Sequence, residues 1–212
     1  PEFSPDVKVD NSDNIYLAYA AYGACNSNTA FDLYYRKITA LGSTNWNLEA
    51  EQMVMDADIV TSYHQPTIAL DGNNKIWLAA KSCDDTGSTT LFVKYANSPN
   101  NAPAWQDSIT NMAYVAADPD HLNASFVPYG GNKLAIFYGF SDGYIRMHTR
   151  NDSESPDTWS ASSNISGDTC NANDYQVIGT ESGKINLLTF GCGDYATYFN
   201  YFNGSDWEGS FP

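Results

Sequence analysis

The sequence predicts an all-β domain built from four repeats of about 50 residues, each a four-stranded antiparallel sheet. Aromatic residues make up 14% of the chain and charged residues only 17%, and aromatic side chains pack well on a pleated surface. Clusters of Asn, Ser, Thr, Asp and Gly separate short apolar segments, which is typical of strands joined by tight turns. No segment keeps the 3.6-residue periodicity of an amphipathic helix.

A hairpin pattern recurs four times with a fixed offset. In each copy the last residue of a first strand precedes the first apolar residue of a second strand by five positions. The pairs are Asp10 and Ile15, Asp71 and Ile76, Tyr129 and Leu134, and Thr180 and Ile185. The linkers are rich in Gly, Asn, Asp and Ser, which tolerate the positive φ angles of tight hairpins.

A third strand follows each hairpin, and a tryptophan then introduces a predicted fourth strand. The third strands are Asp32–Lys37, Leu91–Tyr95, Tyr144–His148 and Tyr198–Phe202. The tryptophans Trp46, Trp105, Trp159 and Trp207 are 59, 54 and 48 residues apart. A four-stranded repeat of this length is a β-propeller blade. We predict one domain with blades at approximately 1–58, 59–116, 117–168 and 169–212, and a loop or short turn at 49–58.

The turns before two of the tryptophans resemble a known motif. Ser98-Pro-Asn-Asn-Ala-Pro-Ala-Trp105 and Asp152-Ser-Glu-Ser-Pro-Asp-Thr-Trp159 are similar to the Asp-box, Ser-x-Asp-x-Gly-x-x-Trp, of sialidase-like (BNR-repeat) propellers. The segment from Tyr198 to Trp207 resembles the blade ends of fucose-lectin-type propellers, Tyr-x-x-Tyr-Phe-Asn-Gly-Ser-x-Trp. The resemblance implies propeller architecture for the whole chain.

The catalytic residues of sialidase-like enzymes are not recognisable in this sequence. That family uses three arginines to hold the substrate carboxylate, a Tyr-Glu nucleophile pair and an acidic Asp. The arginines here are Arg36, Arg146 and Arg150, on or beside third strands, whereas first strands line a propeller's channel. There is also no Arg-Ile-Pro motif near the start. We therefore predict a protein that is not an enzyme.

The charge balance excludes several classes of partner. With 25 acidic and 10 basic residues the net charge is −15, so a nucleic acid would be repelled. No basic cluster or long apolar segment favours a membrane. We expect an acidic protein that is soluble outside the cell or at its surface. Four Asn-X-Ser/Thr sequons, candidate glycosylation sites compatible with secretion, lie at Asn123, Asn151, Asn164 and Asn203.

All four cysteines are predicted on one face of the propeller. In such a blade the loops between blades and the loops between second and third strands emerge together; we name this the loop face. Four cysteines allow three pairings, and loop proximity favours Cys25–Cys83 and Cys170–Cys192. Four free thiols are the alternative.

Ligand-binding candidates are also predicted on the loop face, where aromatic rings could stack on a sugar while polar groups bind its hydroxyls. They are Tyr22, Tyr63, His64, Asp85, Asp118, Asp120, His121, Phe140, Asp142 and Tyr195. The many Asp residues make Ca²⁺ a candidate cofactor, although no EF-hand spacing is present. The two His with Asp118 or Asp120 are a second candidate metal site, so the metal stays unknown. Inter-blade packing and solvated turns are the alternative interpretations.

Three functions are compatible with this pattern. The favoured hypothesis is a secreted, non-catalytic module that binds a glycan or a cell-surface protein. The second is a structural extracellular subunit that associates with itself. The third is a glycoside hydrolase or a fragment of one, because any two of the loop Asp residues could supply the carboxylate pair.

Overall fold

The computed structural model describes residues 2–22, 32–42, 44–57, 61–84, 89–100, 102–108, 124–139, 144–166, 175–190 and 197–211. Every regular element in these ranges is a β-strand. The strands form four antiparallel sheets, one in each predicted repeat segment, which we name blades 1 to 4. The all-β prediction is therefore confirmed, and the prediction of a single domain stays a prediction. Within the same ranges there is no helix that could span a bilayer.

The first of two compact units comprises Pro1–Leu70 and Asn74–Pro119. It contains blade 1, formed by β1 (Glu2–Val9), β2 (Ile15–Tyr22), β3 (Leu33–Ala40), β4 (Trp46–Leu48) and β5 (Gln52–Met55), and blade 2, formed by β6 (Thr61–Leu70), β7 (Ile76–Asp84), β8 (Thr89–Ala96) and β9 (Gln106–Asp107). Consecutive strands pair, except that β4 and β5 both pair with β3.

The second unit comprises Asp71–Asn73 and Asp120–Pro212. It contains blade 3, formed by β10 (Ala124–Tyr129), β11 (Lys133–Gly139), β12 (Ile145–Asn151) and β13 (Ser163–Ser166), and blade 4, formed by β14 (Tyr175–Gly179), β15 (Ile185–Phe190), β16 (Thr197–Phe202) and β17 (Trp207–Phe211). The short segment Asp71–Asn73 is the tip of the β6–β7 hairpin.

The four predicted hairpins form and share one register, although β1, β6 and β14 end one residue before the predicted Asp10, Asp71 and Thr180. The first apolar residue of each second strand pairs with the residue six positions earlier: Val9 with Ile15, Leu70 with Ile76, Pro128 with Leu134 and Gly179 with Ile185. Positive φ angles occur in the turns, at Asp13, Asn74, Gly130, Gly131 and Gly183. The turn chemistry read from the sequence therefore sets the register of all four blades.

The segment 49–58 differs from its prediction. The expectation of a loop or short turn is wrong, because β5 pairs with β3 through Met55 opposite Leu33 and Gln52 opposite Tyr35. Val54 and Met55 pack against the buried cluster of the first unit. The outer edge of blade 1 is thus shared by two short strands, and a register shift on β3 at Leu33/Tyr34 accommodates β5.

Each unit has its own apolar core between its two sheets. In the first unit, blade 1 contributes Tyr16, Ala18, Ala20, Leu33 and Tyr35, and blade 2 contributes Tyr63, Ile68, Ile76, Leu78, Ala80 and Ala96. In the second unit, blade 3 contributes Val127, Tyr129, Ala135, Phe137, Ile145 and Met147, and blade 4 contributes Tyr175, Ile185, Leu187 and Phe202. Sheet-on-sheet contact therefore buries one face of each of these sheets.

Candidate functional site

A polar cleft of about 390 Å³ opens at the hairpin end of blade 3, within the second unit. The end of β12 forms one wall, the following turn forms a second, and the β10–β11 hairpin forms a third. The lining residues are Tyr129, Lys133, Thr149, Arg150, Asn151, Glu154, Thr158, Trp159 and Ser160. The cleft thus combines an indole ring with hydroxyl, amide, ammonium and carboxylate groups.

Backbone hydrogen bonds hold the turn against β12. The Glu154 N–H donates to the Asn151 carbonyl at 3.1 Å, and the Ser160 N–H donates to the Thr149 carbonyl at 2.8 Å. The Ser160 hydroxyl in turn accepts a bond from the Thr149 N–H at 2.9 Å. Two ends of the turn are therefore pinned to one strand, which fixes the position of Trp159 between them.

The buried Arg150 is the centre of the wall behind the tryptophan. Only 2% of its surface is exposed, and its guanidinium lies 5.8 Å from the centroid of the Trp159 ring, a cation–π distance. One guanidinium nitrogen is 3.5 Å from a carboxylate oxygen of Asp71 and 3.9 Å from one of Asp152, and the other donates to the Glu154 carbonyl at 2.9 Å. Burial lowers the pKa of Arg150 and the two carboxylates oppose that shift.

The two carboxylates that face Arg150 are held by the hairpin tip. Asp152 accepts a 2.7 Å bond from the Gly72 N–H, and its carbonyl accepts a 2.8 Å bond from the Asn73 amide. A Cβ at Gly72 would lie 2.4 Å from the Gly131 carbonyl oxygen, so only glycine fits this approach. These contacts keep both acids beside the guanidinium, and a buried charge requires such compensation.

Glu154 presents its carboxylate at the open side of the cleft. It accepts bonds from the Asn151 N–H at 2.8 Å and from the Asn151 side-chain amide at 3.1 Å. These bonds, the backbone one foremost, lower the pKa of Glu154, so the group is ionised at neutral pH. On the opposite wall the Lys133 ammonium lies 5.8 Å from the centroid of the Tyr129 ring.

Most of the predicted ligand-binding residues lie outside the described part of the chain. These are Asp85, Asp118, Asp120, His121, Phe140, Asp142 and Tyr195. For Tyr22 and His64 the backbone is described: Tyr22 pairs with Glu2 and His64 with Lys81. Tyr63 is 8% exposed and packs edge-to-face on Phe92, with ring centroids 6.0 Å apart. The binding role of all ten stays a prediction.

A strained residue lies beside two of these positions. The register of β6 against β7 shifts between His64 and Thr67, and Gln65 at this bulge has a φ of 46°, a left-handed value that is uncommon for residues other than glycine. The side-chain amide oxygen of Gln65, Oε1, is buried without a hydrogen-bond partner. Bulges of this kind often adjoin functional sites, and the sequence carried no signal for it beyond the Pro66 that follows.

The remaining predicted sites are placed only in part. Cys83 lies in β7, where its backbone pairs with Ser62 and Thr89, while Cys25, Cys170 and Cys192 lie outside the described ranges, so the disulfides stay a prediction. Three sequon asparagines, Asn151, Asn164 and Asn203, are exposed, and Asn123 is outside. Among the described residues no group of three His, Cys, Asp or Glu could hold a metal ion; the Asp residues proposed for Ca²⁺ lie almost entirely elsewhere.

Comparison with solved structures identifies the architecture. AofleA from Arthrobotrys oligospora, a mutant form, superposes with a TM-score of 0.65 at 12% identity over 99% of this chain and 56% of its own. A fungal lectin from Aleuria aurantia, a six-bladed β-propeller with a fucose recognition mode, superposes with a TM-score of 0.62 at 9% identity. The match covers 100% of this chain and 62% of the lectin. A Hadza microbial sialidase, Hz136, superposes with a TM-score of 0.61 at 14% identity, and the match covers 97% of this chain and 45% of the sialidase.

The chain has a β-propeller fold. No family model matches it, and no curated protein is similar to it in sequence. The chain spans 45% to 62% of the length of these three propellers. The predicted resemblance to sialidase-like and fucose-lectin-type propellers is confirmed at the level of fold. The cleft, by contrast, is not among the sites that the sequence predicts, and neither Lys133 nor Glu154 is a predicted binding residue.

Proposed function

We propose that this propeller is a secreted, non-catalytic module that binds carbohydrate, and that the cleft of blade 3 is one of its binding sites. The partly exposed Trp159 ring beside hydroxyl, amide and charged groups is the observation that carries the proposal. An indole ring stacks on the apolar face of a pyranose, while hydroxyl and amide groups hydrogen-bond the sugar's hydroxyls. The lectin of the same fold from Aleuria aurantia supports a carbohydrate partner.

The lining of the cleft favours binding over hydrolysis. A glycosidase uses two carboxyl groups about 5 to 10 Å apart across the scissile bond. Of the nine residues that line this cleft, Glu154 is the one with a carboxylate, and its two hydrogen bonds from Asn151 keep it ionised rather than protonated as a general acid must be. Exposed sequon asparagines and the net charge of −15 support an extracellular location.

The test is a glycan array probed with the purified chain, with Ca²⁺ and again with EDTA. We expect selective binding of a small set of glycans, and a Trp159→Ala variant should lose about threefold to tenfold in affinity for them, the effect of one aromatic contact. Trp46→Ala is the matched control, because Trp46 occupies the same repeat position in blade 1 and is 52% exposed. Loss of binding in EDTA would add Ca²⁺ to the site.

Two results would contradict the proposal. A blank array in both conditions would remove carbohydrate binding, and equal affinities of the wild-type and Trp159→Ala proteins would place binding away from this cleft. If chromatography detected free sugar released from a bound glycan during incubation, the protein would instead be a hydrolase.

A further inference from the structure

Asn151 belongs both to a glycosylation sequon and to the wall of the blade 3 cleft. The sequence Asn151-Asp152-Ser153 fits the Asn-X-Ser acceptor pattern, and both Asn151 and Ser153 are exposed. Asn151 is also one of the residues that line the cleft. A glycan attached to this asparagine would therefore begin at the wall of the proposed binding site.

Hydrogen bonds on both sides hold Asn151 in the cleft wall. It is the last residue of β12 and pairs with Lys133 of β11. Its N–H donates to the Glu154 carboxylate at 2.8 Å, and its carbonyl accepts a bond from the Glu154 N–H at 3.1 Å. Asn151 is thus fixed between the β10–β11 hairpin and the turn that carries Trp159.

The side-chain amide of Asn151 can carry a sugar and keep its contact in the cleft. It donates to the Glu154 carboxylate at 3.1 Å, which uses one of its two hydrogens. In N-glycosylation Nδ2 forms a bond to the anomeric carbon of a lipid-pyrophosphate-linked oligosaccharide. The bond from that carbon to the pyrophosphate oxygen breaks, the lipid pyrophosphate leaves and Nδ2 loses one proton. One N–H therefore remains to donate to Glu154.

The sequon of blade 4 provides an internal comparison. Asn203 lies in the turn between β16 and β17, where its amide donates to the Glu208 carboxylate. Its side-chain oxygen accepts bonds from the Ser205 and Asp206 N–H groups at 2.8 and 3.0 Å. None of these residues lines the cleft of blade 3. A glycan on Asn203 would therefore begin outside the cleft.

We propose that a glycan on Asn151 covers the cleft and excludes external carbohydrate, so that glycosylation of this sequon regulates the site. The inference rests on the proposed function of the cleft. A cleft of about 390 Å³ is small beside an N-glycan, which is bulky and solvated. Because the glycan is tethered to the wall, its sugars are present there at an effective concentration on the order of millimolar. They shield the Trp159 ring on which an external sugar would stack.

The test uses the whole chain secreted from a host that glycosylates Asn-X-Ser sequons, with peptide mass spectrometry to measure occupancy. Ser153→Ala removes the sequon but leaves Asn151 in the cleft wall, and Ser205→Ala is the matched control, which removes the sequon of Asn203. Both serines are exposed. We expect Asn151 to be glycosylated in the wild-type protein. Ser153→Ala should then bind the glycans that unglycosylated protein selects on the array about tenfold or more tightly than wild type does. Ser205→Ala should bind them like wild type.

Oxidation of indole rings by N-bromosuccinimide distinguishes failure of this inference from failure of the proposed function. Trp159 should be oxidised about threefold or more slowly in the glycosylated wild type than in Ser153→Ala, because the glycan covers the ring. Trp46, which is 52% exposed, should be oxidised equally in both.

An unoccupied Asn151 in the wild-type protein overturns the inference, and so does equal oxidation of Trp159 or equal affinity in the two proteins. If Ser153→Ala binds no glycan, the proposed function is wrong, while slower oxidation of Trp159 in the wild type still supports a glycan that covers the cleft.

Discussion

The turns that end at Trp105 and at Trp159 have the same length and the same tryptophan, but their surroundings differ. In blade 2 the Trp105 ring packs edge-to-face on Tyr35 with centroids 5.5 Å apart, and the Tyr35 hydroxyl donates to the carbonyl of Asn100 within the turn. In blade 3 the Trp159 ring lies beside the Arg150 guanidinium and borders a polar cleft.

One position on the third strand accounts for much of this difference. The residue opposite the first apolar residue of the second strand is Ala96 in blade 2, paired with Ile76, and Arg150 in blade 3, paired with Leu134. Ala96 is 1% exposed and belongs to an apolar cluster. An arginine at the same place requires carboxylates, which Asp71 and Asp152 supply. The motif thus positions the tryptophan, and its neighbour on the third strand decides between a core and a cleft.

Replacing the arginine should have the largest effect. Arg150→Met leaves Asp71 and Asp152 buried without their cation, and we expect it to reduce the free energy of unfolding by about 3 to 5 kcal/mol. Urea denaturation measures the change. Asp107→Asn is the control. Asp107 forms an ion pair with Lys94, but its side chain is 82% exposed, and exposed ion pairs contribute about 0 to 1 kcal/mol. Equal effects of the two variants would contradict the central role of Arg150.

Removing each tryptophan should have a smaller effect on stability, and the loss should be greater for the turn of blade 2 than for the turn of blade 3. Trp105→Ala takes a ring out of an apolar cluster and should destabilise the protein by about 3 kcal/mol. Trp159→Ala removes a partly exposed ring from the edge of the cleft and should destabilise the protein by about 1 kcal/mol. Thermal unfolding of the pair, with Trp46→Ala as an exposed reference, measures both. The reverse order would mean that Trp159 supports the core more than Trp105 does.

Replacing Glu154 should have the smallest effect, and the effect should depend on pH. The bonds from Asn151 lower the pKa of Glu154 in the folded protein, so the ionised Glu154 side chain stabilises the fold. This stabilisation is fully present above the pKa of the unfolded chain, about 4.3, and is lost as the pH falls through the pKa of the folded protein. The equivalent residue of blade 2 is the uncharged Asn100. Glu154→Gln should therefore lower the melting temperature slightly at pH 7, and the difference should vanish near pH 3. A constant difference across this range would exclude the proposed ionisation.

Local chemistry made the blades predictable from the sequence. The hairpins depend on a few turn residues, such as Asp10, which accepts bonds from the Ser12 and Asn14 N–H groups and the Tyr16 hydroxyl. Those residues are close together in sequence, so the pattern predicts the hairpins. The sequence does not predict strand β5, because its pairing depends on a register shift in β3 and residues 52–55 carry no pattern that indicates this shift.

The cleft could not be predicted in the same way. Its central ion pair joins Arg150 to Asp71 across 79 positions of sequence, and the two residues come from different repeats. Aromatic and acidic residues in the loops predict a site on the loop face, whereas the cleft lies where the hairpins and the tryptophan turns meet. The sequence itself shows only an arginine two positions before an aspartate, Arg150 and Asp152, and its burial became evident in the structure.

The hairpin tip Asp71–Asn73 makes the second unit discontinuous along the chain. A recombinant piece that begins at residue 120 would contain blades 3 and 4 but would lack the Asp71 carboxylate and the Gly72 N–H that Arg150 and Asp152 require. The unit can therefore be excised intact only if those three residues are supplied with it. Duplication or shuffling of a two-blade gene segment would face the same constraint, since the borrowed residues are encoded within the preceding repeat.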